Sequence, residues 1–235
     1  MSNKLTLIHT YYDEPELLKK QIARWNLFPT PIDVLIVDDA SQKYPAYDIL
    51  KDVSLNEGVR LSLYRVKEDI GFNSHGARNL AAKVAETEWL FFTDIDHFVG
   101  ITALTHIVEN MTLDKEKLYY FKWRVLRNYP VEECESVNQY IVHKDVFWKA
   151  GGYNESWTTI HVGDREFINK MRQFVTDHAL NMTLHDHRGA RKIQYHDGDR
   201  NIYDNENGIM HHPKHRKEDI TQITTKINFD WEQLL

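Results

Sequence analysis

Residues 71–98 read GFNSHGARNLAAKVAETEWLFFTDIDHF and combine the patterns of a helix, a buried strand and an acidic turn. The segment Ala77–Ala85 is rich in helix formers, and its larger apolar residues recur at a spacing of four, which predicts a helix. The unbroken apolar run Trp89–Phe92 is typical of a strand that is buried on both faces. We therefore expect the turn Thr93-Asp94-Ile95-Asp96 to lie at the carboxyl end of this strand.

Asp94 and Asp96 stand one residue apart in this turn. Two carboxylates so close together repel each other unless a cation shares them. The carboxyl ends of the strands are also where an open α/β sheet binds its ligands. An ordinary solvated turn is the alternative, but the strand before the turn and Ala77-Arg78-Asn79 upstream of it favour a metal site.

This stretch resembles the family 2 glycosyltransferases, which have the A-type fold of nucleotide-diphospho-sugar transferases. In that family a helix carrying A-R-N leads into a strand that ends in D-x-D. The resemblance implies that Asp96 and Asp94 hold Mn²⁺ or Mg²⁺ against the diphosphate of a nucleotide-sugar donor. It also implies that Arg78, Asp94 and Ile95 contact that donor. For Arg78 the physical reason is that a planar guanidinium can bind phosphate. A surface salt bridge is the other interpretation of Arg78.

The composition is that of an ordinary globular protein, with 42% hydrophobic and 27% charged residues among 235. The net charge of −6 argues against a dedicated nucleic-acid-binding protein. The single cysteine, Cys134, cannot form an internal disulfide, which fits a reducing compartment. No apolar run approaches the roughly 20 residues that cross a bilayer, so we expect no membrane span and a cytoplasmic location.

Strand and helix patterns alternate in the first part of the chain. Strands are predicted at Leu5–Thr10, Ile32–Val37 and Val59–Val66. An amphipathic helix lies between the first two, and the alternation predicts an α/β fold with a mostly parallel sheet flanked by helices. The carboxyl ends of the strands, at Thr10, Asp39 and Asp96, should then meet on one rim.

We expect a single domain over residues 1–235. Its nucleotide-binding half would cover about residues 1–97 and its acceptor and catalytic half about 98–180. A lid-like C-terminal segment, rich in His, Lys and Arg, would cover about 181–235. Further predicted elements are helices at Ile101–Met111 and Lys144–Lys149 and strands at Leu118–Leu126 and Asn138–Val142.

The resemblance extends to both early strands, where the family has T-Y-N and D-D-x-S around the nucleotide base. Here these motifs read Thr10-Tyr11-Tyr12 and Asp38-Asp39-Ala40-Ser41. The resemblance implies donor contacts from Thr10, Tyr11, Glu14 and Asp39. A tyrosine face can stack on a pyrimidine and a carboxylate can accept the uracil N3–H, which favours Asp39 as the base contact. Core packing of Tyr11 and helix capping by Asp38 are the structural alternatives, and Tyr12 stands where the family often has Asn.

Gly151-Gly152-Tyr153-Asn154-Glu155 and the later Gly163-Asp164-Arg165-Glu166 resemble the family's G-G-[FY]-x-E and E-D-x-E. In inverting members the aspartate of E-D is the catalytic base, which corresponds to Asp164. Gly163 stands where the family usually has Glu. A helix N-cap is the structural alternative for Asp164.

Seven of the thirteen histidines lie from His178 onward. Imidazole is an acceptable Mn²⁺ ligand beside carboxylates, and family members often supply such a histidine from this part of the chain. His212 is therefore a candidate third metal ligand, with His211 and His196 as alternatives. The resemblance covers about residues 4–174.

These observations predict a metal-dependent, inverting transfer of a hexosyl or pentosyl group from a UDP-sugar to an acceptor hydroxyl. The acceptor stays open among a glycan, a lipid-linked molecule, a protein and a modified nucleobase in DNA. A metal-dependent hydrolase is an alternative, built on Asp94, Asp96, His97, His185, Asp186 and His187. A sugar-phosphate nucleotidyltransferase would need a glycine-rich basic loop where Tyr11–Glu14 is acidic, and a non-catalytic binding module is the last alternative.

Overall fold

The computed structural model describes residues 3–71, 73–126, 131–133, 138–155, 163–186, 203–204, 209–210 and 227–235. Within these ranges a ten-stranded mixed sheet carries helices on both faces. The α/β class predicted from the sequence is thereby confirmed.

The strands are β1 (Leu5–Tyr11), β2 (Ile32–Asp38), β3 (Val59–Val66), β4 (Trp89–Phe92), β5 (His97–Val99), β6 (Lys117–Leu126), β7 (Val131–Glu133), β8 (Tyr140–His143), β9 (Thr176–Asp186), β10 (Tyr203–Asp204), β11 (Ile209–Met210) and β12 (Trp231–Gln233). The helices are α1 (Pro15–Trp25), α2 (Ala46–Leu50), α3 (Ser74–Val84), α4 (Ile101–Thr105), α5 (Lys144–Lys149) and α6 (Gly163–Met171). A π-helical turn, His106–Asn110, continues α4, so the predicted helix at Ile101–Met111 is present in two geometries.

The large sheet has the order β12-β3-β2-β1-β4-β8-β6-β9-β5, and β7 pairs with β6. Strands β3, β2, β1 and β4 are parallel, as predicted. The second half is mixed: β8 is antiparallel to both β4 and β6, whereas β9 is parallel to β6. The chain joins β6 to β7 through four residues, which is too short for the crossover that a parallel pair needs. The run of four parallel strands is therefore confined to residues 5–92, and strand direction varies in the rest of the sheet.

Alternate side chains of the central strands enter two hydrophobic clusters on opposite faces of the sheet. Leu7 and Val34 belong to the first cluster, together with the apolar face of α1. Ile8 and Leu35 belong to the second, together with α3, α5 and α6. Strand β2 is buried along its whole length, as expected for a parallel strand covered by helices on both sides.

The predicted rim exists, because the register places the carboxyl ends of β1, β2 and β4 side by side. Tyr11 is opposite Asp38, and Ile8 is opposite Phe92. Backbone hydrogen bonds continue one residue beyond the ladders, from Asp39 N–H to the Tyr11 carbonyl at 2.9 Å. The loops after these three strands thus emerge next to one another.

Residues 227–235 return to the sheet and form its outer edge. β12 pairs antiparallel with β3, and Phe229 packs against the second hydrophobic cluster. The Asn228 N–H donates to Glu155 Oε2 at 2.8 Å. Of the predicted lid, residues 181–186 belong to β9 and Trp231–Gln233 form β12, while β10 and β11 form a separate two-stranded sheet. Among the described residues, none of the helices is long and apolar enough to cross a bilayer.

Candidate functional site

The turn between β4 and β5 gathers the side chains of Asp94, Asp96 and His97. One ligand atom from each lies within 4.8 Å of the others, and His97 Nδ1 is 2.7 Å from Asp96 Oδ1. Carboxylate oxygens and an imidazole nitrogen are suitable ligands for Mn²⁺, and carboxylates for Mg²⁺. This donor set therefore fits the divalent ion expected from the sequence, with His97 as an additional candidate ligand.

The guanidinium of Arg78, on α3, lies between two carboxylates from separate parts of the chain. Its Nη2 donates to Asp94 Oδ1 at 2.6 Å, and its Nη1 donates to Asp164 Oδ1 on α6. Arg78 is only 4% exposed. Burial opposes its charge, but Asp164, Tyr153 and Asp94 outweigh burial and raise the pKa of Arg78 above its ordinary value. A guanidinium that is free to bind phosphate would face open solvent. Arg78 is instead buried and bridges Asp94 and Asp164.

Asp164 lies in the first turn of α6 and accepts hydrogen bonds on one carboxylate oxygen from two neighbours. Besides Arg78, the hydroxyl of Tyr153 donates to Asp164 Oδ1 at 3.0 Å. The Tyr153 ring lies 5.4 Å below the Arg78 guanidinium, and its hydroxyl is 2.9 Å from that of Tyr140. Burial raises the pKa of Asp164, while the charge of Arg78 acts in the opposite direction. These contacts go beyond those that a helix N-cap requires.

Asn79, the residue after Arg78, fixes the loop that precedes α6. Its Nδ2 donates to the Tyr153 carbonyl and to Glu155 Oε1, both at 2.9 Å, and its Oδ1 accepts the Tyr153 N–H at 2.8 Å. Gly152 has φ = 68°, and a Cβ there would lie 2.8 Å from Asn79 Oδ1. The A-R-N and G-G-Y-x-E motifs are thus one interlocked unit.

Gly163 faces the ring of His75, which explains why this position differs from the family pattern. A Cβ at position 163 would lie 2.5 Å from the His75 imidazole. That imidazole is buried and stacked on Tyr153, with ring centroids 5.2 Å apart. A glutamate at position 163 would therefore collide with His75 unless the ring moved.

Asp13, in the loop after β1, binds backbone amides of the loop after β2. Its Oδ1 accepts the N–H groups of Lys43 at 2.9 Å and Tyr44 at 2.7 Å. The backbone of Asp13 has φ = 49°, which is uncommon for a residue other than glycine. This acidic loop is joined to its neighbour rather than open to a triphosphate, which argues against a nucleotidyltransferase.

Tyr11 and Asp38 have structural contacts, in line with the alternatives considered for them. Tyr11 is 1% exposed in the first hydrophobic cluster, and its hydroxyl donates to the Tyr44 carbonyl at 2.6 Å. Asp38 accepts the N–H groups of Ser41 and of Ala46, each at 2.8 Å. The expectation that the Tyr11 ring stacks on a base is corrected here, because the core already covers that ring.

Asp39 lies at the rim and binds the residue that precedes α3. Its two carboxylate oxygens accept the backbone N–H of Asn73 at 2.9 Å and the Asn73 side-chain amide at 3.2 Å. Burial raises the pKa of Asp39 to about 7, although these hydrogen bonds act against the shift. Nearby, the Tyr12 hydroxyl donates to Asp69 at 2.9 Å. Tyr12 is half-buried, so, unlike Tyr11, it is partly exposed at this rim.

The other predicted donor contacts lie in different surroundings. Thr10 and Glu14 are half-buried at the end of β1 and just before α1. The Ile95 side chain packs in the first hydrophobic cluster, so the predicted donor contact of Ile95 would be made by its backbone. His212, His211 and His196 lie outside the described residues. In the β5–β9 ladder His185 is opposite Phe98 and Asp186 is opposite His97, while His187 lies outside the described residues, so the hydrolase alternative is not tested by these contacts.

Two residues of this site were not found from the sequence. Asn138 and Gln139, just before β8, donate their side-chain amides to Asp94 Oδ2, the latter at 3.2 Å. Their position depends on the antiparallel pairing of β8 with β4, and periodicity carries no information about strand direction. His97 was visible in the sequence beside the acidic pair but was considered only for a hydrolase.

Known proteins show the same fold. The sequence profile of glycosyl transferase family 2 matches residues 6–202, and no curated protein sequence matches the chain. TarS from S. aureus superposes with a TM-score of 0.61 at 15% identity, covering 78% of this chain and 36% of TarS. Mannosyltransferase PcManGT from Pyrobaculum calidifontis, in complex with GDP-Man and Mn²⁺, gives 0.62 at 14% identity, covering 83% of this chain and 59% of that one.

A fragment of S. aureus TarS, residues 1–349 in complex with UDP-GlcNAc, gives a TM-score of 0.60 at 16% identity. The superposition covers 80% of this chain and 57% of that fragment. The chain thus spans less than two thirds of each of these structures, and at such identities the likeness establishes the fold. The family profile is the more specific result, because it extends from β1 beyond the end of β9 and includes both halves of the site. On that match, the chain belongs to glycosyl transferase family 2.

Proposed function

We propose that the chain is a metal-dependent, inverting glycosyltransferase that moves a sugar from a UDP-sugar to an acceptor hydroxyl. The observation that carries this proposal is the Arg78 guanidinium, which contacts Asp94 of the acidic turn and Asp164 of α6. One side chain thus lies between Asp94, the carboxylate expected near the donor diphosphate, and Asp164, the carboxylate expected to act as base. The proposal rests on the two acidic motifs lying side by side, since inverting transfer needs both a base and a stabilised leaving group.

On the donor side, Asp96 and Asp94, with His97 beside them, would hold Mn²⁺ or Mg²⁺. A divalent ion bound there neutralises the charge that develops on the leaving diphosphate. Asp39 would accept the uracil N3–H, with Tyr12 at the same rim to cover the base. UDP-GlcNAc and GDP-Man are the donors named for the similar structures, so both nucleotides belong in a test of base preference.

On the acceptor side, Asp164 would take the proton of the attacking hydroxyl. Its raised pKa makes it a stronger proton acceptor than an exposed carboxylate, and Arg78 and Tyr153 fix its position. The hydroxyl oxygen then attacks the anomeric carbon from the face opposite the leaving diphosphate, which inverts the anomeric configuration.

Calorimetric titration of UDP and GDP, with and without Mn²⁺, tests the donor half of the proposal. We expect Mn²⁺ to strengthen UDP binding to the wild type and to have no effect on Asp96→Asn. The control is Asp48→Asn, which removes an exposed carboxylate on α2 that pairs with Lys51 and should respond to Mn²⁺ as the wild type does. A folded Asp96→Asn variant with the full Mn²⁺ effect would contradict the assignment.

Asp164→Asn tests the acceptor half, because asparagine keeps the size and an oxygen for Arg78 but cannot take a proton. A general base acts in the transition state, so donor affinity should be nearly unchanged. Release of UDP from a UDP-sugar should fall by at least about 10²-fold, the lower end for general-base catalysis. Wild-type turnover by this variant, or a product that keeps the donor's anomeric configuration, would exclude the inverting mechanism with Asp164 as base.

A further inference from the structure

Gln21 is a buried amide on the apolar face of α1. It is 3% exposed, and the other buried residues of this helix are Leu17, Leu18 and Trp25. A buried amide lowers stability unless its polar atoms are hydrogen-bonded. The hydrogen-bond partners of this buried amide therefore indicate its structural role.

Both partners of the Gln21 amide group lie around the candidate metal ligand Asp96. Nε2 donates to the Ile95 carbonyl at 3.0 Å and to the His97 carbonyl at 2.8 Å. An amide nitrogen carries two hydrogens, so these two bonds use its full donor capacity. Gln21 therefore joins the backbone immediately before Asp96 to the backbone immediately after it.

The turn that Gln21 spans is joined to the sheet at its first residue, where the Thr93 N–H donates to the Ile8 carbonyl of β1 at 3.1 Å. β4 ends at Phe92 and β5 begins at His97, so residues 93–96 lie between strands. Within the turn, the His97 N–H donates to the Asp94 carbonyl at 3.0 Å. The direction of the Asp96 side chain depends on the backbone of this turn, and Gln21 holds it from both sides.

We propose that Gln21 is a positioning residue that orients Asp96 for the divalent ion, acting through the two carbonyls. This inference rests on the metal site of the proposed function. Outer groups that fix a ligand's geometry affect metal affinity by about 10–100-fold when removed. Gln21 belongs to none of the motifs by which the chain resembles its family, and only the packing of α1 on the turn brings it there.

Arg24, one turn further along α1, is the matched control. Its Nη2 donates to the Val99 carbonyl at 2.8 Å, and its guanidinium lies 5.1 Å from the Phe98 ring. Like Gln21, Arg24 ties α1 to the segment after β4, but its partner is the Val99 carbonyl and not a carbonyl next to Asp96. Arg24→Met thus removes the same kind of bond without touching the backbone around Asp96.

The experiment measures binding of Mn²⁺ alone by electron paramagnetic resonance, together with thermal unfolding. Gln21→Met keeps the chain length and helix propensity but removes both donors. We expect both variants to unfold at lower temperature than the wild type. Mn²⁺ affinity should fall about 10–100-fold in Gln21→Met and change by less than about threefold in Arg24→Met.

Wild-type Mn²⁺ affinity in folded Gln21→Met would overturn the inference, and so would an equal loss in both variants. If Gln21→Met does not fold, Gln21→Asn is measured instead, because its amide is one methylene shorter and cannot reach both carbonyls; the same loss is expected, and an unchanged affinity overturns the inference. Failure of the wild type to bind Mn²⁺ would overturn the proposed metal site together with this role. The two failures are therefore distinguishable.

Discussion

Arg78 is a buried cation shared by two partly exposed carboxylates, Asp94 and Asp164. Removing one partner of a buried ion pair typically costs about 3–5 kcal/mol, because the remaining charge is left unpaired. We therefore expect Arg78→Met to lower the free energy of unfolding by about that amount, and Arg78→Met/Asp164→Asn to recover part of it. Urea denaturation of the two variants measures both quantities.

Arg60 provides the control for this prediction, because it also contacts two carboxylates. It donates to Asp33 and to Glu86, but it is 53% exposed. Exposed pairs contribute about 1 kcal/mol or less, so Arg60→Met should have a much smaller effect. Equal losses for Arg60 and Arg78 would show that burial of Arg78 is not the reason for its contribution.

The raised pKa of Asp39 predicts a dependence of stability on pH. The carboxyl has an ordinary value of 3.8 and a folded value of about 7, a shift caused mainly by burial. Between these values the folded protein binds a proton that the unfolded chain releases. The free energy of unfolding should therefore fall as the pH rises from about 4 to 7, by about 4 kcal/mol at most, and level off above 7.

Urea denaturation across this pH range, for the wild type and Asp39→Asn, isolates the contribution of Asp39 as the difference between the two curves. A difference that does not change with pH would show that Asp39 titrates normally. If ionised Asp39 accepts the uracil N3–H, uridine nucleotides should also bind more tightly as the pH rises through about 7. Asp39→Asn should lack that dependence.

At the scale of elements, two consecutive residues of α3 contact two different later parts of the chain, the helix α6 and the loop before it. Successive side chains on a helix point about 100° apart, so Arg78 can reach α6 while Asn79 reaches the loop at 151–155. The geometry of that loop depends on Gly152, whose φ of 68° favours glycine. A change in the loop should therefore disturb the contact between Tyr153 and Asp164 as well as local stability.

Gly152→Ala should destabilise the protein by about 1–3 kcal/mol, because it forces a left-handed conformation on alanine and places its Cβ against Asn79. The control is Gly100→Ala before α4, where φ is −61° and nothing lies within 4 Å of the added atom. That substitution should be neutral or slightly stabilising. Thermal unfolding of both variants tests the expectation, and equal effects would contradict it.

Local patterns predicted most of the elements in the first half of the chain. Val59–Val66 and Trp89–Phe92 have the predicted bounds, because an apolar run between polar turns defines a strand locally. The helix expected at Ala77–Ala85 begins three residues earlier, at Ser74. Propensity could not place that start, since the interaction between Asn73 and Asp39 that precedes the helix is made with a distant strand.

For the whole molecule, the fold class followed from the alternation of strands and helices, and the family resemblance located Asp94, Asp96, Arg78 and Asp164. What the sequence did not reveal depends on long-range pairing. Gln139 reaches Asp94 through the antiparallel β8, and Gln21 reaches the same turn from α1. Neither contact has a local signature, because each joins segments more than 40 residues apart.

Both outer strands of the large sheet, β5 and β12, are only three residues long. Long unpaired edges are templates for edge-to-edge aggregation, and short edge strands limit that hazard. β12 covers part of β3, an eight-residue strand that would otherwise be the edge. Deleting residues 227–235 should therefore cause concentration-dependent self-association, visible by light scattering, whereas Phe229→Ala, which keeps the strand, should remain dispersed. A dispersed deletion variant would show that β3 is a safe edge by itself.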